Sequence, residues 1–296
     1  MLPDNIKSYL DRIHELPVEE QREILKKVQH LNGLKAQRTS KDSFISFVKQ
    51  VWPGFVEGYH HKIMAEAFER VARGELKRLI INMAPRHTKS EFASHLFPAW
   101  YLGHHPAKYV IQASNTSDLA VDFGRKVRDT IGDKAYQDIF PKTAIHADVA
   151  AAGKWKTTEK GEYFAVGVGG TLTGRGGNLI VIDDPHSEQQ AKQAETKPEI
   201  YDSVMEWYTS GPRQRVQPGA AIVIVMTRWS KRDLTGRVLK KAAEDGTLSE
   251  WEVIELPAIL PSGQPIWPEY WPEKEILAIK AELPIPKWMA QYQQTP

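Results

Sequence analysis

Six short runs dominated by Ile, Val and Leu recur through the middle of the chain: RLIINM (78–83), KYVIQAS (108–114), EYFAVGV (162–168), NLIVIDD (178–184), AAIVIVMT (220–227) and WEVIEL (251–256). They are largely continuous apolar runs, so they read as strands buried on both faces. Helical stretches such as SEFASHLFPAWYL and SDLAVDFGRKVRDTI separate them. Strands alternating with helices predict an α/β fold with a mainly parallel sheet flanked by helices.

The flanks read differently. Residues 1–50 are polar and helical, with PVEEQREILKKVQHL carrying apolar residues at helical spacing behind Pro17. LNGLKAQRTSKDS is expected to break that helix, and SFISFVKQVWP to form a second one stopped by Pro53. HHKIMAEAFERVARGEL predicts an amphipathic helix ending near Gly74. From Leu260 the chain is rich in Pro and Trp and is expected to wrap or link, with one short helix. The expected organisation is a helical segment over 1–74, a core over 75–260 and a closing segment over 261–296.

Composition sets limits. With no cysteine among 296 residues, disulfides and thiolate metal sites are excluded. No run of eighteen apolar residues exists, so nothing is expected to span a membrane, and the N-terminus MLPDNIKSYLDRIHEL lacks a signal-peptide core. A net charge of +2 leaves nucleic-acid binding undecided.

Chemistry enters at IINMAPRHTKSEFAS, where Lys89 and Ser90 fall at a strand-to-helix junction. Such a junction can cradle phosphate on backbone N–H groups, with lysine supplying charge and the hydroxyl a Mg²⁺ ligand. The pattern G-x-x-x-x-G-K-[ST] is not met, since Met83 and Thr88 stand where glycines belong. The plainer reading is a polar turn with a solvated lysine. A second signal, NLIVIDDPHS, is an apolar strand ending in Asp183 and Asp184. In a phosphate-loop enzyme the first acid serves Mg²⁺ and the second polarises water. Alternatively, an Asp before Pro-His-Ser is a helix cap.

Taken together, these segments resemble the large terminase subunit of tailed phages along nearly the whole chain. RLIINMAPRHTKSEFAS looks like that family's variant phosphate loop, and IVIDDP like its acidic motif. GGTLTGRGGNLIVIDDP is similar to the glycine-rich approach to that strand, IVIVMTRWSKRDLTGRVL to the coupling motif, and WMAQYQQTP to the linker closing the ATPase region. The resemblance implies a P-loop NTPase fold of RecA/ASCE type with a small helical lid. It implies ATP and Mg²⁺ as cofactors, bound by the loop Pro85, Arg86, His87, Thr88, Lys89, Ser90 and Glu91. Lys89 would bind the β/γ-phosphates, Ser90 and Asp183 would serve Mg²⁺, and Asp184 would activate water. Thr227 would sense the γ-phosphate and Arg86 would stabilise charge, while WPGFVEGYHHKIM matches the part that closes over adenine.

The implied function is ATP hydrolysis driving double-stranded viral DNA into a procapsid. The partners would be DNA, a portal protein and a small terminase subunit. A homo-oligomeric ring would form on the portal, with a monomer in solution, in the host cytoplasm. The family's nuclease domain has no counterpart in this sequence, so DNA cutting is not expected. One departure is Thr88, where most members have glycine; a β-branched residue is strained if that position needs positive φ. The competing functions are a helicase-type nucleic-acid ATPase, which would usually need a second lobe, and a non-catalytic nucleotide-binding scaffold.

Other residues have two readings each. Arg125 or Arg128 on SDLAVDFGRKVRDTI could reach a neighbouring subunit's site as an arginine finger, or lie on a solvated helix face. Arg228 could contact nucleotide or DNA, or close a salt bridge. The pairs His60-His61 and His104-His105 are expected to be ordinary surface histidines, and the tryptophans packing residues.

Overall fold

A computed structural model describes residues 16–296, so the reading of residues 1–15 lies outside the described residues. Eight strands form one sheet. They are β1 (Arg78–Met83), β2 (Tyr109–Ser114), β3 (Ile145–Ala151), β4 (Lys154–Thr157), β5 (Glu162–Gly167), β6 (Gly177–Asp183), β7 (Val216–Met226) and β8 (Glu252–Leu256). The order is β3-β4-β5-β2-β6-β7-β1-β8. Pairs from β5 through β8 are parallel, whereas β3 and β4 add an antiparallel edge. That edge was not expected: IHADVAA and KWKT are too polar and too small-residued to register as buried strands, and most of β3 is exposed or half-buried.

Both faces of the parallel strands are apolar, as their continuous Ile/Val runs require. On one face lie Leu79, Ile81, Leu179, Val181, Val223 and Val225, which share a core with Phe44, Phe47, Met64 and Phe68 of the N-terminal helices. On the other lie Ile80, Ile180, Ile182, Ile222 and Ile224, packed against Val204, Trp207 and Val238. The period-two alternation of a strand produces this division.

The helices are α1 (Val18–Asp42), α2 (Phe44–Val51), α3 (Tyr59–Ala72), α4 (Phe97–His104), α5 (Ser117–Gly132), α6 (Lys134–Ile139), α7 (Glu188–Ala194), α8 (Glu199–Ser210), α9 (Leu234–Glu244), α10 (Glu273–Glu282) and α11 (Ile285–Gln291). A π-helical turn over Glu91–Leu96 runs directly into α4. Two expectations are corrected. Helix α1 runs unbroken through the stretch expected to end it. Gly33 is the weakest helix former there, and its cost of about 1 kcal/mol does not outweigh the flanking Leu, Lys, Ala, Gln and Arg. The closing segment holds two helices, not one, each begun by a proline, Pro272 and Pro284. Helix α3 ends as read, with Gly74 at φ 77° just past it.

Candidate active site

The register brings three strand ends to one edge. Asn82 of β1 pairs with Met226 of β7, and Asp183 of β6 pairs with Val225 of β7. Strand β7 therefore lies between the strand that enters the turn 84–88 and the strand that ends in the acids. The residues immediately following these ends converge. Lys89 Nζ is 2.8 Å from Asp184 Oδ2, and Ser90 Oγ donates to Asp183 Oδ1 at 2.9 Å. The Thr227 N–H donates to Asp184 Oδ1 at 2.7 Å, and Thr227 Oγ1 donates to the Met83 carbonyl at 3.3 Å. Asp184 thus joins the lysine of the turn to the end of β7.

Asp183 is buried and its carboxyl is raised well above the usual range, first by burial and then by the charge of Asp184. Lys89 and the Ser90 and Ser94 hydroxyls oppose the rise. Its Oδ2 is buried without a hydrogen-bond partner. A hydroxyl and a carboxylate with spare acceptor capacity form a donor set suited to a hard divalent cation that takes its remaining ligands from phosphate and water.

The turn is held in an unusual shape. Arg86 and Thr88 have φ of 61° and 68°, and Asp184 has φ of 40°. For a β-branched residue such as Thr88, left-handed backbone costs about 1–2 kcal/mol. Three histidines surround the turn. His61 Nδ1 accepts from the Gly58 N–H at 2.7 Å, which leaves Nε2 protonated to donate to Thr88 Oγ1 at 2.7 Å. Thr88 Oγ1 in turn donates to the His87 carbonyl at 2.5 Å, which also accepts from His60 Nε2 at 3.2 Å. His87 Nδ1 donates to the Pro85 carbonyl at 2.8 Å. His60 and His61, read from sequence as surface residues, are fully buried. Burial lowers their pKa to about 3 and about 2, with neighbouring histidines adding to the effect. Trp267 packs edge-on against both, and Trp271 stacks on His87.

The HK97 bacteriophage large terminase matches 80% of this chain at 12% identity and a TM-score of 0.50, and the chain spans 50% of that protein's length. The Thermus phage P74-26 large terminase ATPase domain, in a mutant form, matches 84% of this chain and 97% of that domain at 12% identity, with a TM-score of 0.51. The chain shares the fold of these large terminase structures. No protein-family profile and no curated protein matches the sequence.

Not every residue singled out in the sequence joins this group. Arg86 is exposed, and among the described residues only its carbonyl is engaged, by Trp271 Nε1 at 3.4 Å. The side chain of Glu91 is held by His95 of its own π-helical turn at 2.5 Å and by Lys126 of α5 at 2.8 Å. Burial raises its pKa, but those two partners outweigh burial and bring it to about 2. Arg125 pairs with Asp122 on its own helix, and Arg128 bonds Asp129 and the Ala150 carbonyl. Arg228 closes a buried salt bridge with Asp233 at 2.9 Å, the structural one of its two readings. Asp233 also caps α9, accepting from the Gly236 N–H. The cap after the acidic pair is Ser187, not Asp184.

Sequence reasoning missed the histidine scaffold, although a signal existed. His60 and His61 are followed by Met64, Ala65, Phe68 and Ala72 at helical spacing, which places both on the apolar face of α3.

Proposed function

We propose that the chain binds Mg²⁺–ATP at this edge and hydrolyses it to drive double-stranded viral DNA into a procapsid. The observation that carries the reading is the convergence of Lys89, Ser90, Asp183, Asp184 and Thr227 from the ends of three adjacent strands. In an open α/β sheet, ligands bind outside the carboxyl ends of the strands.

Ser90 and Asp183 would hold Mg²⁺, which supplies charge neutralisation at the β- and γ-phosphates when bound. Lys89 neutralises phosphate charge, and to do so it exchanges its present partner Asp184 for the ligand. Asp184, released from Lys89, accepts a hydrogen bond from water and orients it for in-line attack. Its other oxygen remains on the Thr227 N–H, so a change at the γ-phosphate reaches the end of β7. The chemistry is positioning and electrostatic stabilisation, with no covalent intermediate. Arg86 lies on the turn as a charge stabiliser. Arg125 or Arg128 acts in a neighbouring subunit's site within a ring assembled on a portal protein, together with a small terminase subunit, in the host cytoplasm.

Phosphate release measured with and without duplex DNA tests this reading. Mg²⁺-dependent release that rises with DNA and disappears in Lys89→Ala is expected. No release under any condition, from protein that binds nucleotide, would leave a non-catalytic nucleotide-binding domain instead.

A further inference from the structure

We infer that His61 is a positioning residue for the phosphate turn, holding Thr88 in the left-handed conformation that phosphate loops ordinarily assign to glycine. The inference rests on the nucleotide-binding reading for its functional meaning, but its geometry stands independently. Thr88 has φ of 68°, where its branched Cβ disfavours the backbone. By itself such a residue would leave this conformation sparsely populated, by roughly five- to thirty-fold. Two hydrogen bonds act against that. The His61 Nε2–H donates to Thr88 Oγ1 at 2.7 Å, and Thr88 Oγ1 passes a bond on to the His87 carbonyl at 2.5 Å.

The donor is itself immobilised. The Gly58 N–H fixes the tautomer of His61 through Nδ1. Phe92 lies against the imidazole at 4.6 Å between ring centroids, Phe55 at 4.8 Å and Trp267 at 5.0 Å. Gly58 is required there for space, because a Cβ at that position would come within 2.4 Å of Trp267. Burial keeps the ring neutral, so it presents one donor and one acceptor, each used.

The consequence concerns peptide 87–88. Its carbonyl accepts from both Thr88 Oγ1 and His60 Nε2 and so faces the histidines. In a trans peptide the N–H points the opposite way, so the Thr88 N–H is turned from the histidines and has no hydrogen-bond partner among the described residues. An N–H presented in this way is what a phosphate loop offers its ligand. The histidine–threonine pair therefore does by side-chain bonding what glycine does by conformational freedom.

The pair makes a signed prediction. Thr88→Val keeps the branched Cβ, removes the hydroxyl and leaves the His61 N–H buried without a partner. Mg²⁺–ADP binding, measured by titration calorimetry, should weaken about ten-fold or more. His61→Leu should weaken it by a similar factor. Thr88→Gly relieves the backbone but orphans His61, so the two effects offset and affinity should stay within about three-fold of wild type. The double variant His61→Leu/Thr88→Gly should return affinity to within about three-fold, because glycine no longer needs the donor. A role for His61 as core filling alone predicts no such recovery.

Amide hydrogen exchange over residues 83–92, on the same proteins without nucleotide, provides a second readout. Faster exchange in His61→Leu and Thr88→Val than in wild type is expected. Unchanged exchange in both variants would overturn the inference, as would a loss of affinity in His61→Leu that the double variant fails to repair. Wild-type protein that does not bind Mg²⁺–ADP would refute the nucleotide reading instead, and the exchange measurement would still decide the role of His61.

Discussion

Replacing Asp184 by asparagine separates a catalytic carboxylate from a structural one, because the two roles predict changes of different size in different measurements. Asp184 makes two contacts: Oδ2 with Lys89 Nζ at 2.8 Å and Oδ1 with the Thr227 N–H at 2.7 Å. An amide oxygen can still accept from Thr227, so only the negative charge that faces Lys89 is lost. The Asp184 side chain is 30% exposed, so the pair is partly screened and contributes about 0–1 kcal/mol. Removing a carboxylate beside buried Asp183 also relieves repulsion, which offsets part of that loss. The unfolding free energy of Asp184→Asn should therefore stay within about 1 kcal/mol of wild type. If Asp184 orients water, turnover at saturating ATP should fall by about 100- to 10,000-fold, or about 3–5 kcal/mol of barrier. Nucleotide affinity should change little. Steady-state phosphate release, titration calorimetry and urea denaturation on one preparation measure all three. Turnover within about three-fold of wild type would remove Asp184 from catalysis. A stability loss of about 3 kcal/mol or more would make it a strut between the turn and β7.

Asp183→Ala should abolish the Mg²⁺-dependent part of nucleotide binding, seen as equal affinity with and without Mg²⁺ in calorimetry. Asp233→Ala should cost about 3–5 kcal/mol in urea denaturation, because it takes the nearer carboxylate from the buried Arg228, leaving it Glu255 at 3.6 Å, and removes the cap of α9, while Arg228→Met/Asp233→Ala should recover part of the loss. Stability should fall between pH 7 and pH 5: folding lowers the pKa of His60 to about 3 and of His61 to about 2, so the unfolded chain takes protons first as pH drops through 6.5. Each histidine contributes up to about 2 kcal/mol to that fall, and His61→Leu should make the pH dependence shallower in denaturant titrations. If Arg125 or Arg128 is a finger acting between subunits, mixing its inactive alanine variant with Lys89→Ala protein should restore phosphate release; no restoration in demonstrably mixed oligomers would dismiss that arginine.

The parallel sheet was legible because its signal is one of solvent exclusion. Leu79 to Met83, Leu179 to Asp183 and Ala221 to Met226 are buried at every position, so apolar continuity alone delimits them. The antiparallel edge was not legible for the complementary reason. Trp155 and Tyr163, stacked at 4.8 Å, bury that part of the sheet, while the backbone of β3 is carried by residues with no strong preference. Helix α1 was misjudged because Gly33 and the polar run after it resemble a breaker, although no proline or cap enforces one. The acids and the lysine were legible as residue types at strand ends, whereas the link through the Thr227 N–H depends on β7 lying between β1 and β6, an order that the linear sequence does not display.

The histidines show where motif reading stops. A pattern compares residue types at fixed offsets, and by that measure Thr88 is simply a defect in a glycine-dependent loop. Its compensation comes from His61, a residue outside the loop and on another element, and the two are brought together only by the packing of α3 against the turn. The same packing makes the His60-His61 doublet hard to classify, since adjacent histidines on a surface and adjacent histidines in a core are identical as text. What distinguishes them is the company at helical spacing, Met64, Ala65 and Phe68, which marks that face of α3 as interior. A buried neutral imidazole must then find both a donor and an acceptor partner. For His61 the Gly58 N–H provides one and the hydroxyl of Thr88 the other. The departure from the loop pattern and the burial of the histidine are therefore a single physical fact: each residue supplies what the other lacks.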